Sequence, residues 1–152
     1  MSLSPDAIAN WVLASFAGVV PKQSYSETSF FYNPGTVLPN GVYFLTMKDH
    51  DGPHDKASAL SRPGVYRISF QPSPESYREL FGERPARPAK GGVVRLPYDF
   101  SRVNVLMPHP VYAWMGWVMV LQPDTQVFEE LKPFIEQSYQ QAVKKFQAKK
   151  RA

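Results

Sequence analysis

The sequence contains no cysteine. That absence excludes disulfides, thiolate nucleophiles and zinc sites built on cysteine. Histidine is scarce too, with three copies at His50, His54 and His109, so imidazole chemistry has few places to occur. No apolar run is long enough to cross a bilayer: the one near Tyr112 extends ten residues to Leu121 and is bounded by proline. The start of the chain lacks a basic segment followed by an apolar run, so the expectation is a cytoplasmic protein without membrane contact. Spaced glycines and a Gly-Lys-Ser/Thr ending are missing, and Gly91-Gly92 stands alone, which argues against nucleotide hydrolysis. No serine lies in a nucleophile-elbow pattern, and no repeat or low-complexity segment is present.

What is present fits one domain, residues 1–152, large enough to bury a core without covalent staples. The formal net charge of +4 is mostly local: Lys144, Lys145, Lys149, Lys150 and Arg151 follow Gln137 with no acid among them, and residues 147–152 read as a basic tail.

Ser4-Pro5-Asp6 opens a helix, because a hydroxyl caps, proline has no N–H to lose in the first turn, and an acid suits the positive helix end. Ile8, Trp11, Val12, Ser15 and Phe16 share one face of it, and Gly18 follows as a C-terminal cap. Glu27–Asn33 and Gly41–Lys48 read as strands of a hairpin, with Asn33-Pro34-Gly35 and Leu38-Pro39-Asn40-Gly41 between them. Asp49–Pro63 is a long polar loop and a candidate functional edge. Gly64–Gln71 alternates as a third strand, with Val65, Arg67, Ser69 and Gln71 on a face expected to be wet. Ser73-Pro74-Glu75 starts a second helix that ends at Gly82, and Glu83–Gly92 reads as a mobile loop.

A fourth strand is expected over Gly92–Leu96, and Asp99–Met107 is ambiguous between a helical turn and a loop. Tyr112–Leu121 then reads as a central strand, apolar on both faces, that holds Trp114 and Trp117, two of the three tryptophans. Pro123-Asp124 opens the last and longest helix, with Phe128, Leu131, Ile135, Ser138, Tyr139, Ala142 and Phe146 in one stripe and Pro133 inside it as an expected kink. The fold class is therefore α+β: an antiparallel sheet of about five strands in α-β-β-β-α-β-β-α order, with the N- and C-terminal helices packed on one face.

The run Arg62-Pro63-Gly64-Val65-Tyr66-Arg67-Ile68 resembles the domain-of-unknown-function family 6194. So do His109-Pro110-Val111-Tyr112-Ala113-Trp114-Met115-Gly116-Trp117-Val118 and Phe30-Phe31-Tyr32-Asn33-Pro34, and the resemblance extends over nearly the whole chain. More distantly, Trp117 followed by Ser138-Tyr139 and a lysine-ended helix is similar to the MmcQ/YjbR-like proteins. These resemblances imply an α+β fold with helices on an antiparallel sheet and imply no established activity. The DNA-binding appearance ascribed to the MmcQ/YjbR-like group is an analogy of fold.

Four candidate chemistries follow. Asp49-His50-Asp51-Gly52-Pro53-His54-Asp55 is the densest polar cluster, and His50, His54 and Asp51 are its candidate metal ligands. Gly52-Pro53 prevents the helix on which a His-x3-His pair converges, so a solvated turn is the preferred reading and no metal or other cofactor is expected. His109, held between prolines, is a candidate acid or base with Tyr112 and Asp99 near it in sequence. Arg84, Arg87 and Arg95, in and after the mobile loop, with Lys149 and Lys150, form a candidate basic surface for nucleic acid. Lysines at a helix end need no ligand, however, so nucleic acid is the lesser expectation. Aromatic content is 14%, enough to ask whether Tyr25, Phe31, Tyr43, Tyr66 and Trp114 line an open sheet face. The candidate ligand-binding residues are His109, Tyr112, Trp114, Tyr66, Arg67 and Phe31. The expected role is a non-enzymatic binding module for a small ligand or a protein partner, with homodimerisation open to it. A nucleic-acid-contacting domain acting through residues 84–95 and the C-terminal lysines is one alternative, and an enzyme using His109 is the other.

Overall fold

A computed structural model describes residues 3–151. Helix α1 (Pro5–Ser15) starts as its capping residues dictate, with the Ser4 hydroxyl accepting the Ala7 N–H at 3.1 Å. Strands β1 (Val19–Ser24), β2 (Glu27–Tyr32), β3 (Val42–Lys48) and β4 (Arg67–Phe70) follow, then α2 (Pro74–Phe81), β5 (Met107–Pro108), β6 (Val118–Leu121) and the long α3 (Thr125–Arg151). The six strands form one antiparallel sheet in the order β1-β2-β3-β4-β6-β5.

Helices α1 and α3 cover one face. Trp11 meets Phe128 edge-on at 5.2 Å between centroids, and Phe16 stacks on Tyr139 at 4.6 Å. Ile8, Val12, Leu131, Ile135 and Ala142 pack with Phe44, Ile68, Phe70, Val118 and Val120 of the sheet in a single buried cluster. Each fully buried large apolar side chain there contributes about 1.5–3 kcal/mol. The Ser138 hydroxyl pins α3 to the strands: it donates to the Phe44 carbonyl at 2.6 Å and accepts the Gln71 N–H at 2.9 Å. Pro133 sits on the exposed side of α3, and the helix continues through it to Arg151.

Among the described residues no α-helix covers the opposite face. The long connections between residues 49–66 and 92–117 fold over it and bury a second cluster of Leu60, Val65, Val94, Phe100, Met107, Ala113, Met119 and Leu121.

The expected order of elements stands, with four corrections. Val19–Ser24 is a strand that was not expected; its Pro21 is tolerated because β1 is an edge, and Pro21 and Lys22 there, like Pro108 in β5, discourage another chain from extending the sheet. Gly92–Leu96 is not a strand, because the free side of β6 is taken by Met107–Pro108; Val94 donates its N–H to the Pro110 carbonyl and accepts that of Leu96. The expected strand Tyr112–Leu121 is a strand only from Val118. Ala113–Met115 is a 3₁₀ turn closed by Gly116 at φ 89°, a conformation that favours glycine. The ambiguous Asp99–Met107 segment is irregular until Met107 opens β5, and Asn104 within it is a brace, its side chain accepting the Asp124 N–H at 2.8 Å and donating to the Asp124 carboxylate at 3.0 Å. The fourth correction concerns β4: the side expected to be wet is buried, with Arg67 and Ser69 each 2% exposed.

Candidate functional site: a polar floor under aromatic walls

A β-bulge sets up the loop-covered face. In the β2–β3 pair, Phe30 opposes Leu45 but Phe31 opposes Tyr43, so Phe44 is the extra residue. The bulge puts Phe44 and Leu45 both into the core, and Tyr43, Thr46 and Lys48 line the same open cavity on the other side. Cross-strand neighbours complete the floor, with Ser29 opposite Thr46, Thr46 opposite Ser69, and Lys48 opposite both Glu27 and Arg67. The cavity holds about 440 Å³ and also takes in the turn Gly52–Asp55 and the segment from His109 to Trp117. That volume is in the range of small-molecule sites.

Asp55 is brought onto the floor by a tight turn in which Gly52 and Asp55 exchange backbone hydrogen bonds at 3.0 and 3.2 Å. A side chain at position 52 would put its Cβ 2.9 Å from the Lys48 ammonium, so the flexible end of Lys48 would shift. The Asp55 carboxylate accepts a bidentate pair from Arg67, Nη1 to Oδ1 at 2.9 Å and Nη2 to Oδ2, and Lys48 Nζ reaches Oδ2 at 3.2 Å. Burial raises the Asp55 pKa, but the hydrogen bonds and charge of Arg67, followed by His109 and Lys48, outweigh it and hold the carboxyl well below its ordinary range. Two hydrogen-bonding atoms of the floor residues lack a protein partner among the described residues: Arg67 Nε and Ser69 Oγ. Buried polar atoms are nearly always paired, so orphans on residues that line a cavity mark it as unusual.

His109 is 3% exposed. Its Nδ1 accepts the N–H groups of Val111 and Tyr112 at 3.0 and 3.1 Å, so in the neutral ring the proton resides on Nε2. Burial first, and the neighbouring Arg67 second, hold its pKa well below the ordinary histidine value. The ring is therefore a neutral N–H donor in the cavity wall. No carboxylate hydrogen-bonds it, and the Tyr112 ring lies 5.2 Å away between centroids. Near neutral pH this geometry does not suit a general base.

The walls are aromatic. Tyr43 stacks on Trp117 at 5.4 Å with 29° between planes, and Phe31 meets Tyr43 edge-on at 5.8 Å. Tyr43 and Tyr112 remain 47% and 49% exposed at the mouth.

Of the expected ligand-binding residues, His109, Tyr112, Arg67 and Phe31 line this cavity and Tyr66 and Trp114 do not. Tyr66 belongs to the helix-side core, where its hydroxyl bonds the Leu3 carbonyl at 2.5 Å and burial raises its pKa to about 12. Trp114 carries the Arg87 guanidinium on its ring at 4.7 Å. Tyr25 is fully exposed at the tip of the β1–β2 hairpin. Among the described residues no three His, Cys, Asp or Glu side chains gather as a metal site. His50 bonds Asp49 at 2.8 Å in solvent, Asp51 accepts the Leu60 N–H at 2.8 Å as a loop brace, and only His54 borders the cavity. Arg84 lies against Gly116, Arg87 and Arg95 border a second hollow, and Lys149 and Lys150 project from the end of α3.

The sequence places Asp55 in the polar cluster of residues 49–55 but singles out neither it nor Lys48 nor Ser69 as a site residue. The signal available was the alternation of β4, which placed Arg67 and Ser69 on one face but gave no hint that a loop acid would close over them.

Fold and site together define a small α+β domain with a helix-covered sheet face and a cavity under loops on the other. The chain belongs to a family of unknown function, DUF6194, whose profile matches residues 3–151. No curated protein and no solved structure matches it. The first resemblance seen in the sequence is thus established, and nothing in these comparisons supports the more distant one to the MmcQ/YjbR-like proteins.

Proposed function

We propose that the protein is a non-enzymatic binding module whose ligand is a small organic molecule seated in the loop-face cavity. The observation that carries this reading is the Asp55–Arg67–Lys48 cluster on the cavity floor. A buried ion pair adds little net stability compared with apolar residues of similar volume, so its place beneath an open cavity favours recognition over folding as its purpose. The neutral, backbone-anchored His109 supports binding more than acid–base catalysis.

The nucleic-acid reading has less support. Arg87 is held on Trp114, Arg84 lies against Gly116, and Ser138 and Trp117, which suggested the more distant resemblance, are engaged in packing. We place the protein in the cytoplasm as part of the same proposal; no described helix is long and apolar enough to cross a membrane.

The test is thermal unfolding of the wild type and of Ser29→Trp, which fills the cavity from β2, across a library of small metabolites. A ligand that binds only the folded state raises the midpoint. At least one compound should stabilise the wild type and leave Ser29→Trp unmoved, with both proteins folded by circular dichroism. If every stabilising compound acts equally on both proteins, or none acts, the reading fails.

A further inference from the structure

We infer that the cavity's ligand carries a single carboxylate on a flat apolar body. This inference rests on the binding-site reading above and adds the chemical class. It follows first from which hydrogen-bonding capacity on the floor is already used. Both Asp55 oxygens are taken by Arg67 and Lys48, and His109 Nδ1 is taken by two backbone N–H groups. The acceptors beside Lys48 and Arg67 are therefore committed, while the hydroxyls of Ser29 and Thr46 can donate or accept. Donors remain: Lys48 has three N–H bonds and spends one on Asp55, and His109 keeps Nε2–H, while the unpartnered Arg67 Nε–H and Ser69 hydroxyl are buried behind them. A head group that only accepts, with two oxygens to share, answers that inventory. An amide or amine head would bring N–H donors against Lys48 Nζ and His109 Nε2, which have only N–H bonds to offer.

Charge then limits the head to one negative unit. Lys48 and Arg67 are balanced over the whole cavity by Asp55 and Glu27, and His109 is neutral. Glu27 opposes Lys48 across the β2–β3 pair, so a dianion such as phosphate would meet a carboxylate near its own site. Next to the floor, however, two cations share the single carboxylate of Asp55, which leaves attraction for a monoanion. The walls fix the remainder of the ligand. The Tyr43–Trp117 stack and the edge of Phe31 present ring surfaces that suit a planar apolar body, with Tyr43 half-exposed and open to stacking.

The experiment uses the full chain and a panel of planar aromatic carboxylates, 2-naphthoate among them, each paired with its primary amide and its aminomethyl analogue. Affinities are read by calorimetry for the wild type, Lys48→Met and His109→Asn. Lys48→Met leaves the Arg67–Asp55 pair intact, and in His109→Asn the introduced amide oxygen stands where Nδ1 accepts its backbone bonds, so both variants are expected to fold. At least one carboxylate should bind about tenfold more tightly than its amide, and that preference should fall about tenfold in Lys48→Met, the worth of a charge-assisted hydrogen bond. His109→Asn should weaken the carboxylate and spare the amide. The inference is overturned if no carboxylate outbinds its amide, if the amine binds best and so identifies Glu27 as the anchor, or if Lys48→Met leaves the preference unchanged. If neutral or cationic compounds bind and Ser29→Trp blocks them, the binding-site reading survives and only the carboxylate class is lost. If Ser29→Trp blocks nothing, both are lost.

Discussion

The two faces of this sheet are made by the same strands and solve opposite problems. On the helix face, Ser138 is 3% exposed and makes two hydrogen bonds, tying α3 to β3 and to the residue after β4, while the Tyr77 hydroxyl is buried there without a partner. On the loop face, Ser69 is as deeply buried and makes none, beside an arginine whose Nε is also without a partner. Burial alone therefore does not separate structure from function here. What distinguishes the loop face is that its unpartnered polar atoms belong to residues lining the cavity, which the Tyr77 hydroxyl does not border.

The largest effect expected comes from the helix face. Phe44→Ala removes a side chain packed between Phe16 and Tyr139 and should cost about 3–5 kcal/mol in urea unfolding. A comparable loss, about 3–5 kcal/mol, is expected from Asp55→Ala, which leaves Arg67 charged and unpaired in the interior. Replacing both members, as Asp55→Leu with Arg67→Met, should restore most of that stability while abolishing any ligand-induced shift. A double variant as unstable as Asp55→Ala would mean the pair is structural after all, and the contrast between the faces would break.

The serines sharpen the contrast at smaller scale. Ser138→Ala strands the Phe44 carbonyl and the Gln71 N–H and should cost about 1–3 kcal/mol. Ser69→Ala breaks no bond within the chain and should fall within about 0.5 kcal/mol of wild type. Equal costs for the two would show that Ser69 has a partner in solution.

Acid should act through the loop face. His109 is buried beside Arg67, Asp55 and Lys48 and its pKa is depressed on folding, so between its folded value and the ordinary one near 6.5 the unfolded chain binds more protons. The stability it contributes is complete above about pH 6.5 and is lost as pH falls below that value. Asp55, also depressed, adds a second loss once pH drops below about 4, the unfolded carboxyl value. Urea midpoints measured at pH 7 and pH 5 should differ by more in the wild type than in His109→Asn. An equal difference would place the acid sensitivity elsewhere. The smallest effect is reserved for His50→Ala, which is solvent-exposed and should change stability by less than about 0.5 kcal/mol.

Much of the fold was legible because local chemistry specified it. Ser4-Pro5 and Ser73-Pro74 cap helices in the structure as their side chains imply, and the Phe128–Phe146 stripe turns toward the sheet. The 113–116 turn was not legible: the aromatic and valine residues of Tyr112–Leu121 suit a strand, but Gly116 takes a left-handed conformation that composition does not disclose. Arg67, Phe31, His109 and Tyr112 were named as candidates, and the fold brings them to one cavity. Their meeting with Asp55 and Lys48 was not readable, because it depends on a loop closing over the sheet from twelve residues away in sequence.

The sequence by itself determined the helices, the β2–β3 hairpin, the absence of thiol chemistry and the membership of the family, all of which depend on residue type and short-range spacing. Only the tertiary structure decided which sheet face carries the candidate site. That choice rests on the Phe44 bulge, the pairing of Asp55 with Arg67 and the burial of Arg67, and each is settled by partners distant in sequence whose charges and volumes must be matched in space.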